Sequence, residues 1–225
     1  MIELRGLSKH YRLSGDVLVK AVDNVDLTIK PGEFMMIAGR SGSGKTTLLS
    51  LIGGLTKPTT GSVHVDGVDI WSLNDAVQSR FRAEIIGFVF QIPSLLPTLT
   101  VLDNVKLPTM FSREHENVGE KALSLLEMVG LSEKAHAYPS QLSVGQQKRV
   151  ALARSLINGP DVVLADEPTS DLDKATELEI MTLIKKVHEE GPRTMVMVTH
   201  NLDLVSYATQ VRTMANGALS ESGRQ

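Results

Sequence analysis

Eight consecutive residues offer the first chemistry. Gly39-Arg40-Ser41-Gly42-Ser43-Gly44-Lys45-Thr46 fits the pattern G-x-x-x-x-G-K-[ST], which cradles nucleotide phosphates when it joins a strand to a helix. Its glycines permit backbone angles that turn successive N–H groups toward one anion. A helix starting where the loop ends aims its positive end at the same charge. Lys45 adds a full positive charge for the β- and γ-phosphates, and the hydroxyl of Thr46, next to Thr47, suits Mg2+. A second group lies downstream, where the apolar run Val162-Val163-Leu164-Ala165 ends in Asp166-Glu167. Neighbouring strand side chains point to opposite sides, so the two acids are expected to do different work. Asp166 would reach a Mg2+-bound water beside Thr46, and Glu167 would polarise the water that attacks the γ-phosphate. Two solvated acids at a strand end are the bland alternative, and the phosphate loop upstream weighs against it.

The elements around these groups read as an α/β chain. Alternation at Ile2 and Leu4, over residues 17–22, and at Val25, Leu27 and Ile29 predicts early strands. Residues 34–38 form a short buried strand, and residues 46–55 a helix that ends at Gly53-Gly54. Strands are expected at 62–68, 85–90, 162–165, 194–199 and 211–215, with helices at 121–129, 143–156 and 178–190. Strands alternating with helices argue for a largely parallel core. The mostly helical stretch 91–154 reads as an insertion into it. The tail 217–225 is polar and is expected to be loose.

Composition sets the outer bounds. The chain has 225 residues, 42% hydrophobic and 22% charged, with a net charge of −3 and no cysteine. These are the proportions of a soluble globular protein with neither disulfides nor a thiolate metal site. A balanced charge with no basic stripe predicts no nucleic-acid partner. No apolar run approaches the ~18–20 residues that span a bilayer, and Met-Ile-Glu-Leu-Arg does not begin a signal peptide. A cytoplasmic chain is expected, with any link to a membrane made through a partner.

Leu142-Ser143-Val144-Gly145-Gln146-Gln147 opens a predicted helix some twenty residues before the acid pair. Here the sequence resembles the ABC ATPase family, whose signature reads L-S-G-G-Q, and the resemblance runs through the whole chain in the family's order. Gln91, after Phe88-Val89-Phe90, resembles the Q-loop glutamine, a contact to Mg2+ or the attacking water. Ser170-Asp171-Leu172-Asp173 resembles the D-loop, His200 the switch histidine, and Tyr11 the aromatic that stacks on adenine. The resemblance implies one ABC ATPase domain over residues 1–225. It has a P-loop NTPase (RecA-like) core at 1–90 and 155–225, an N-terminal antiparallel β subdomain, and an inserted α-helical signature subdomain at 91–154. It also implies ATP and Mg2+ as ligands and a homodimer of C2 symmetry. In that dimer Ser143, Val144, Gly145 and Gln146 of one chain cap the γ-phosphate held by the other. A helix start carrying Ser143 and Gly145 is a second anion site, which agrees.

Two positions depart from the pattern. Val144 replaces a signature glycine, and its bulk disfavours positive φ. Asp171 replaces a small D-loop residue and adds charge near the dimer seam. With Lys45, Asp166, Glu167 and His200 retained, an active ATPase is expected. Ile86-Gly87-Phe88-Val89-Phe90-Gln91 and the segments at 95–105 and 15–22 resemble the subgroup of macrolide exporters and lipoprotein-release systems (MacB-like and LolD-like). The resemblance then implies integral membrane permease-type partners and a place on the cytoplasmic face of the membrane. The alternatives are a regulatory ATPase that controls a membrane or cell-wall protein without moving solute, and a soluble ATPase acting on nucleic acid or the ribosome.

Overall fold

Alternating apolar residues build the first sheet. Strand β1 (Ile2–Arg12) buries Ile2, Leu4 and Leu7, and β2 (Leu18–Ile29) buries Val22, Val25, Leu27 and Ile29. They pair antiparallel with Ile2 opposite Ile29, and register shifts separate Leu4 from His10. Strand β3 (Phe34–Ala38) is buried at every residue, as expected of a strand covered on both faces. Helix α1 (Lys45–Ile52) follows the loop. Strands β4 (Thr60–Val65) and β5 (Val68–Asp69) complete an antiparallel sheet in the order β2-β1-β4-β5. Helix α2 (Asp75–Ile85) was not predicted. It buries only Gln78 and has no apolar stripe to reveal its period.

The remaining elements are β6 (Ile86–Val89), α3 (Val101–Lys106), α4 (Val118–Met128), α5 (Val144–Leu156), β7 (Val162–Asp166), α6 (Lys174–Glu189), β8 (Thr194–Thr199), β9 (Gln210–Ala215) and β10 (Ala218–Glu221). The computed structural model describes residues 1–12, 14–15, 17–113, 116–191 and 193–221. Asp16 of the 15–22 stretch and the last four residues of the tail therefore lie outside the described residues.

Two units are found: Met1–Gln78 with Pro192–Gln225, and Ser79–Gly191. In the first, β3 runs parallel to β8, with Phe34 opposite Met195, and to β9, with Met36 opposite Val211, and β10 returns antiparallel along β9. In the second, β6 and β7 pair in parallel with Ile86 opposite Val162. Its core is Val101, Val105, Ala122, Leu126, Val150 and Ala153 with their neighbours. The stretch 91–154, expected as the helical signature subdomain, lies within this second unit. Helix α5 packs directly on β6, so the helices cluster with the short parallel pair.

The tail also differs from its reading. Asn216 and Gly217 have φ of 48° and 80°, the left-handed pair of a tight hairpin turn. Residues 218–221 thus form β10 rather than a loose end.

Candidate functional site

The phosphate loop lies in the first unit, between the end of β3 and the start of α1. Its first residue is fixed by β8: the Gly39 N–H donates to the Thr199 carbonyl at 3.1 Å. Gly44 stands before α1 at φ 105°, and a Cβ there would come within 2.0 Å of the Ala21 carbonyl oxygen. Only glycine fits that position. No side chain caps α1 and no acid sits in its first turn, and the positive end of such a helix favours an anion. Lys45 is buried, and its Nζ donates to the carbonyls of Gly39 (2.9 Å) and Arg40 (3.0 Å). The Ser43 hydroxyl is buried without a hydrogen-bond partner, a costly arrangement unless a ligand supplies one. A phosphate fits all three features. Arg40, Ser41, Gly42 and Thr46 are exposed, and Thr47 is half-buried.

Two further predicted residues belong to the same unit. His200 is exposed and directly follows β8, whose last residue holds Gly39. The Asn201 N–H donates to the Thr199 hydroxyl at 2.9 Å, which pins the turn at His200. Tyr11 presents an exposed ring on β1, and the Lys9 ammonium sits 5.2 Å from its centroid.

Sequence reasoning passed over Gly217. Its N–H donates to the Ser43 carbonyl at 3.1 Å, and its own carbonyl accepts from the Asp23 N–H at 2.9 Å. The β9–β10 turn therefore props the phosphate loop from behind. The dipeptide Asn216-Gly217 was the available signal.

The second unit holds the acids. Asp166 is the buried last residue of β7, and Glu167 is half-buried just beyond it. The alternation argument does not describe Glu167. The strand ends at Asp166, and Glu167 adopts φ 43°, so a left-handed turn sets its direction. Such backbone costs about 1–3 kcal/mol and gathers at functional sites. The Ser170 N–H donates to the Glu167 carbonyl at 3.1 Å.

Helix α5 opens with a reciprocal cap. The Ser143 hydroxyl accepts from the Gln146 N–H at 3.2 Å, and Gln146 Oε1 accepts from the Ser143 N–H at 3.0 Å. Val144 is the exposed first residue of the helix and does not need positive φ, so its bulk is accommodated. Gly145 is buried, where a Cβ would meet the Thr176 methyl at 2.6 Å. In the loop after Glu167, Asp171 adopts φ 60°. Asp173 caps α6 by accepting from the Ala175 and Thr176 N–H groups, both at 3.0 Å, and from the Thr176 hydroxyl at 2.6 Å. The Thr176 bonds hold its carboxyl below the usual carboxylate range.

Two buried cations on α5 were not singled out from sequence. Lys148 Nζ donates to the Gln91 carbonyl and to the Ser170 hydroxyl, each at 3.2 Å. Burial pushes its pKa down, against the opposing pull of Asp171 and Glu167. Arg154 donates to the carbonyls of Ser94 (2.9 Å) and Pro93 (2.6 Å). The signal for Arg154 is a cation inside the buried run Val150-Ala151-Leu152-Ala153-Arg154-Ser155-Leu156. Lys148 has no such local marker.

A family profile described as ABC transporter matches residues 22–170, which include the phosphate loop, Gln91, the start of α5 and the acid pair. The chain belongs to the ABC transporter family. The cassette is 44% identical over 228 residues to the macrolide export ATP-binding/permease protein MacB of Rhodopirellula baltica, covering all of this chain and 33% of that protein. It thus spans a third of that relative's length. It is 42% identical over 221 residues to the lipoprotein-releasing system ATP-binding protein LolD of Hyphomonas neptunium, covering 97% of this chain and 96% of that one. Among solved structures, a dimeric post-hydrolysis ATP-binding cassette bound to ADP and Pi superposes with a TM-score of 0.89. The identity there is 41%, and the match covers 99% of this chain and 100% of that one. The cassette is an ABC ATPase with an α/β P-loop NTPase fold and an antiparallel β subdomain, as its sequence predicted. Among the described residues no helix is long and apolar enough to cross a membrane.

Proposed function

We propose that the cassette hydrolyses ATP as a head-to-tail homodimer and thereby drives an integral membrane permease-type partner on the cytoplasmic face of the membrane. The observation that carries this reading is the start of α5. Ser143 and Val144 are exposed there, on a helix end already ordered by its own capping box. An anion site facing outward on one chain calls for a phosphate brought by another. The homology to a cassette whose dimeric form holds ADP and Pi supports the same arrangement.

Residue roles follow from chemistry. The loop from Gly39 to Thr47 binds the phosphates through its N–H groups and Lys45, and Tyr11 stacks on the base. Ser143 and Gly145, flanked by Val144 and Gln146, stabilise the γ-phosphate of the other chain. Glu167 accepts a proton from the attacking water, and His200 orients that water. Ser170, Asp171 and Asp173 shape the loop at the seam between chains. The donors offered to a metal are all hard: the Thr46 hydroxyl, the Gln91 amide oxygen and the Asp166 carboxylate, the last through water. That set fits Mg2+, which when bound neutralises charge on the phosphates.

The relatives named for macrolide export and lipoprotein release support the same subgroup for this chain. Ile92, Leu96, Met110 and Phe111 are exposed apolar side chains in the segment after Gln91, the surface we assign to a cytoplasmic helix of the permease. Affinity purification of Glu167→Gln from detergent-solubilised membranes, with ATP, tests this. A multi-pass membrane protein should copurify and should be lost with Ile92→Asp. A soluble dimer alone, or one carrying ribosomes or DNA, would refute the membrane role.

A further inference from the structure

The structure assigns Lys148 as a positioning residue that ties the Gln91 loop to the loop carrying the catalytic glutamate, so that turnover depends on it and nucleotide binding does not. This goes beyond the ATPase roles given above, because Lys148 touches neither phosphate nor base in them. Lys148 is 4% exposed. Burying an ammonium is unfavourable unless its hydrogens are placed, and an apolar chain of the same length would fill the space as well. Here the ammonium bridges the Gln91 carbonyl and the Ser170 hydroxyl, and the Ser170 N–H in turn holds the Glu167 carbonyl. An unbroken chain of hydrogen bonds thus runs from the residue beside β6 to the backbone of Glu167.

Lys148 also lies on α5, five residues after Ser143, and Arg154 on the same helix grips the carbonyls of Pro93 and Ser94. One rigid element therefore carries the signature at its start and holds three carbonyls of the Gln91 loop along its length. A contiguous bonded network of this kind can carry displacement between loops. Moving Gln91 drags the ammonium, the ammonium drags Ser170, and Ser170 turns Glu167, already in left-handed backbone, away from the attacking water.

The test uses the purified cassette with ATP and Mg2+, measuring kcat, KM and Tm for Lys148→Met, Lys148→Arg and Ser170→Ala. Lys148→Met should lower kcat about tenfold and change KM less than about twofold, the signature of an interaction that serves turnover. Lys148→Arg should recover at least about half of the lost rate, since it keeps the donors. Combining Lys148→Met with Ser170→Ala should cost little more than Lys148→Met alone, because the two act in one chain of contacts. An unchanged kcat, additive losses, or kcat and KM falling together with Tm and without rescue by arginine would overturn the assignment. If Lys148→Met does not fold, Ser170→Ala decides: its kcat must fall at constant KM, and full activity would end the proposal.

Discussion

The two places proposed to bind anions in the cassette are built in opposite ways. The phosphate loop is shaped by backbone. Gly44 sits where no Cβ fits, Gly39 is fastened to β8, Gly217 supports the loop from behind, and α1 has no side-chain cap. The start of α5 is shaped by side chains, with Ser143 and Gln146 capping each other and Lys148 and Arg154 anchoring the helix to neighbouring carbonyls. A helix start without a side-chain cap turns its positive end toward a ligand held inside the loop. A capped and exposed one is ready before any ligand arrives and can meet a phosphate coming from outside. Loss in the first place should therefore appear as lost affinity, and loss in the second as lost turnover.

The sharpest break comes from Gly44→Ala. Left-handed backbone at a non-glycine residue and a clash with the Ala21 carbonyl together should weaken ATP binding by more than roughly 100-fold, measured by nucleotide titration with circular dichroism as the fold check. Ser143→Ala should do the reverse. It removes a cap and the outward hydroxyl, so ATP affinity of the single chain should hold while kcat drops about 10–100-fold. An affinity loss as large as that of Gly44→Ala would erase the distinction between the two places. Gly217→Ala sharpens it from the side of the loop. Strain at φ 80° and a Cβ 2.7 Å from the Lys20 carbonyl should weaken ATP binding about tenfold, with kcat at saturation nearly unchanged.

The smallest effect concerns Asp173, whose carboxyl lies below its ordinary value of 3.8 through the Thr176 hydrogen bonds. A depressed folded pKa stabilises the protein above the ordinary pKa, and that contribution is lost as pH falls through 3.8 toward the lowered value. Asp173→Ala should therefore lower Tm at pH 7, and the gap to the wild type should narrow on acidification. A gap that is constant across pH would contradict the capping role.

What the sequence showed and what it hid follow the same division. The phosphate loop and the acid pair could be read as local strings whose spacing suits the chemistry, whereas the signature at 142–147 was read only through its resemblance to the ABC ATPase family. The early strands and β3 were legible because alternation or continuous burial marks them. Helix α2 was not, since it buries Gln78 alone and has no stripe. Lys148 was not either, because nothing in its neighbours reveals that a lysine is buried, and its partners Gln91 and Ser170 are remote in sequence. Glu167 follows the end of β7, and a turn at φ 43° rather than strand alternation directs it. The hairpin that supports the loop was readable in Asn216-Gly217 but was obscured by the polarity of the tail.

Sedimentation of Glu167→Gln with ATP and Mg2+ tests the shared-site dimer most directly. With the proposed roles, that variant should keep binding by the loop and lose proton removal from water, so the ATP-bound pair should persist. A species of twice the chain mass that appears with ATP and disperses with ADP is predicted. The mass of a single chain under both nucleotides, equal to that of the wild type, would contradict it.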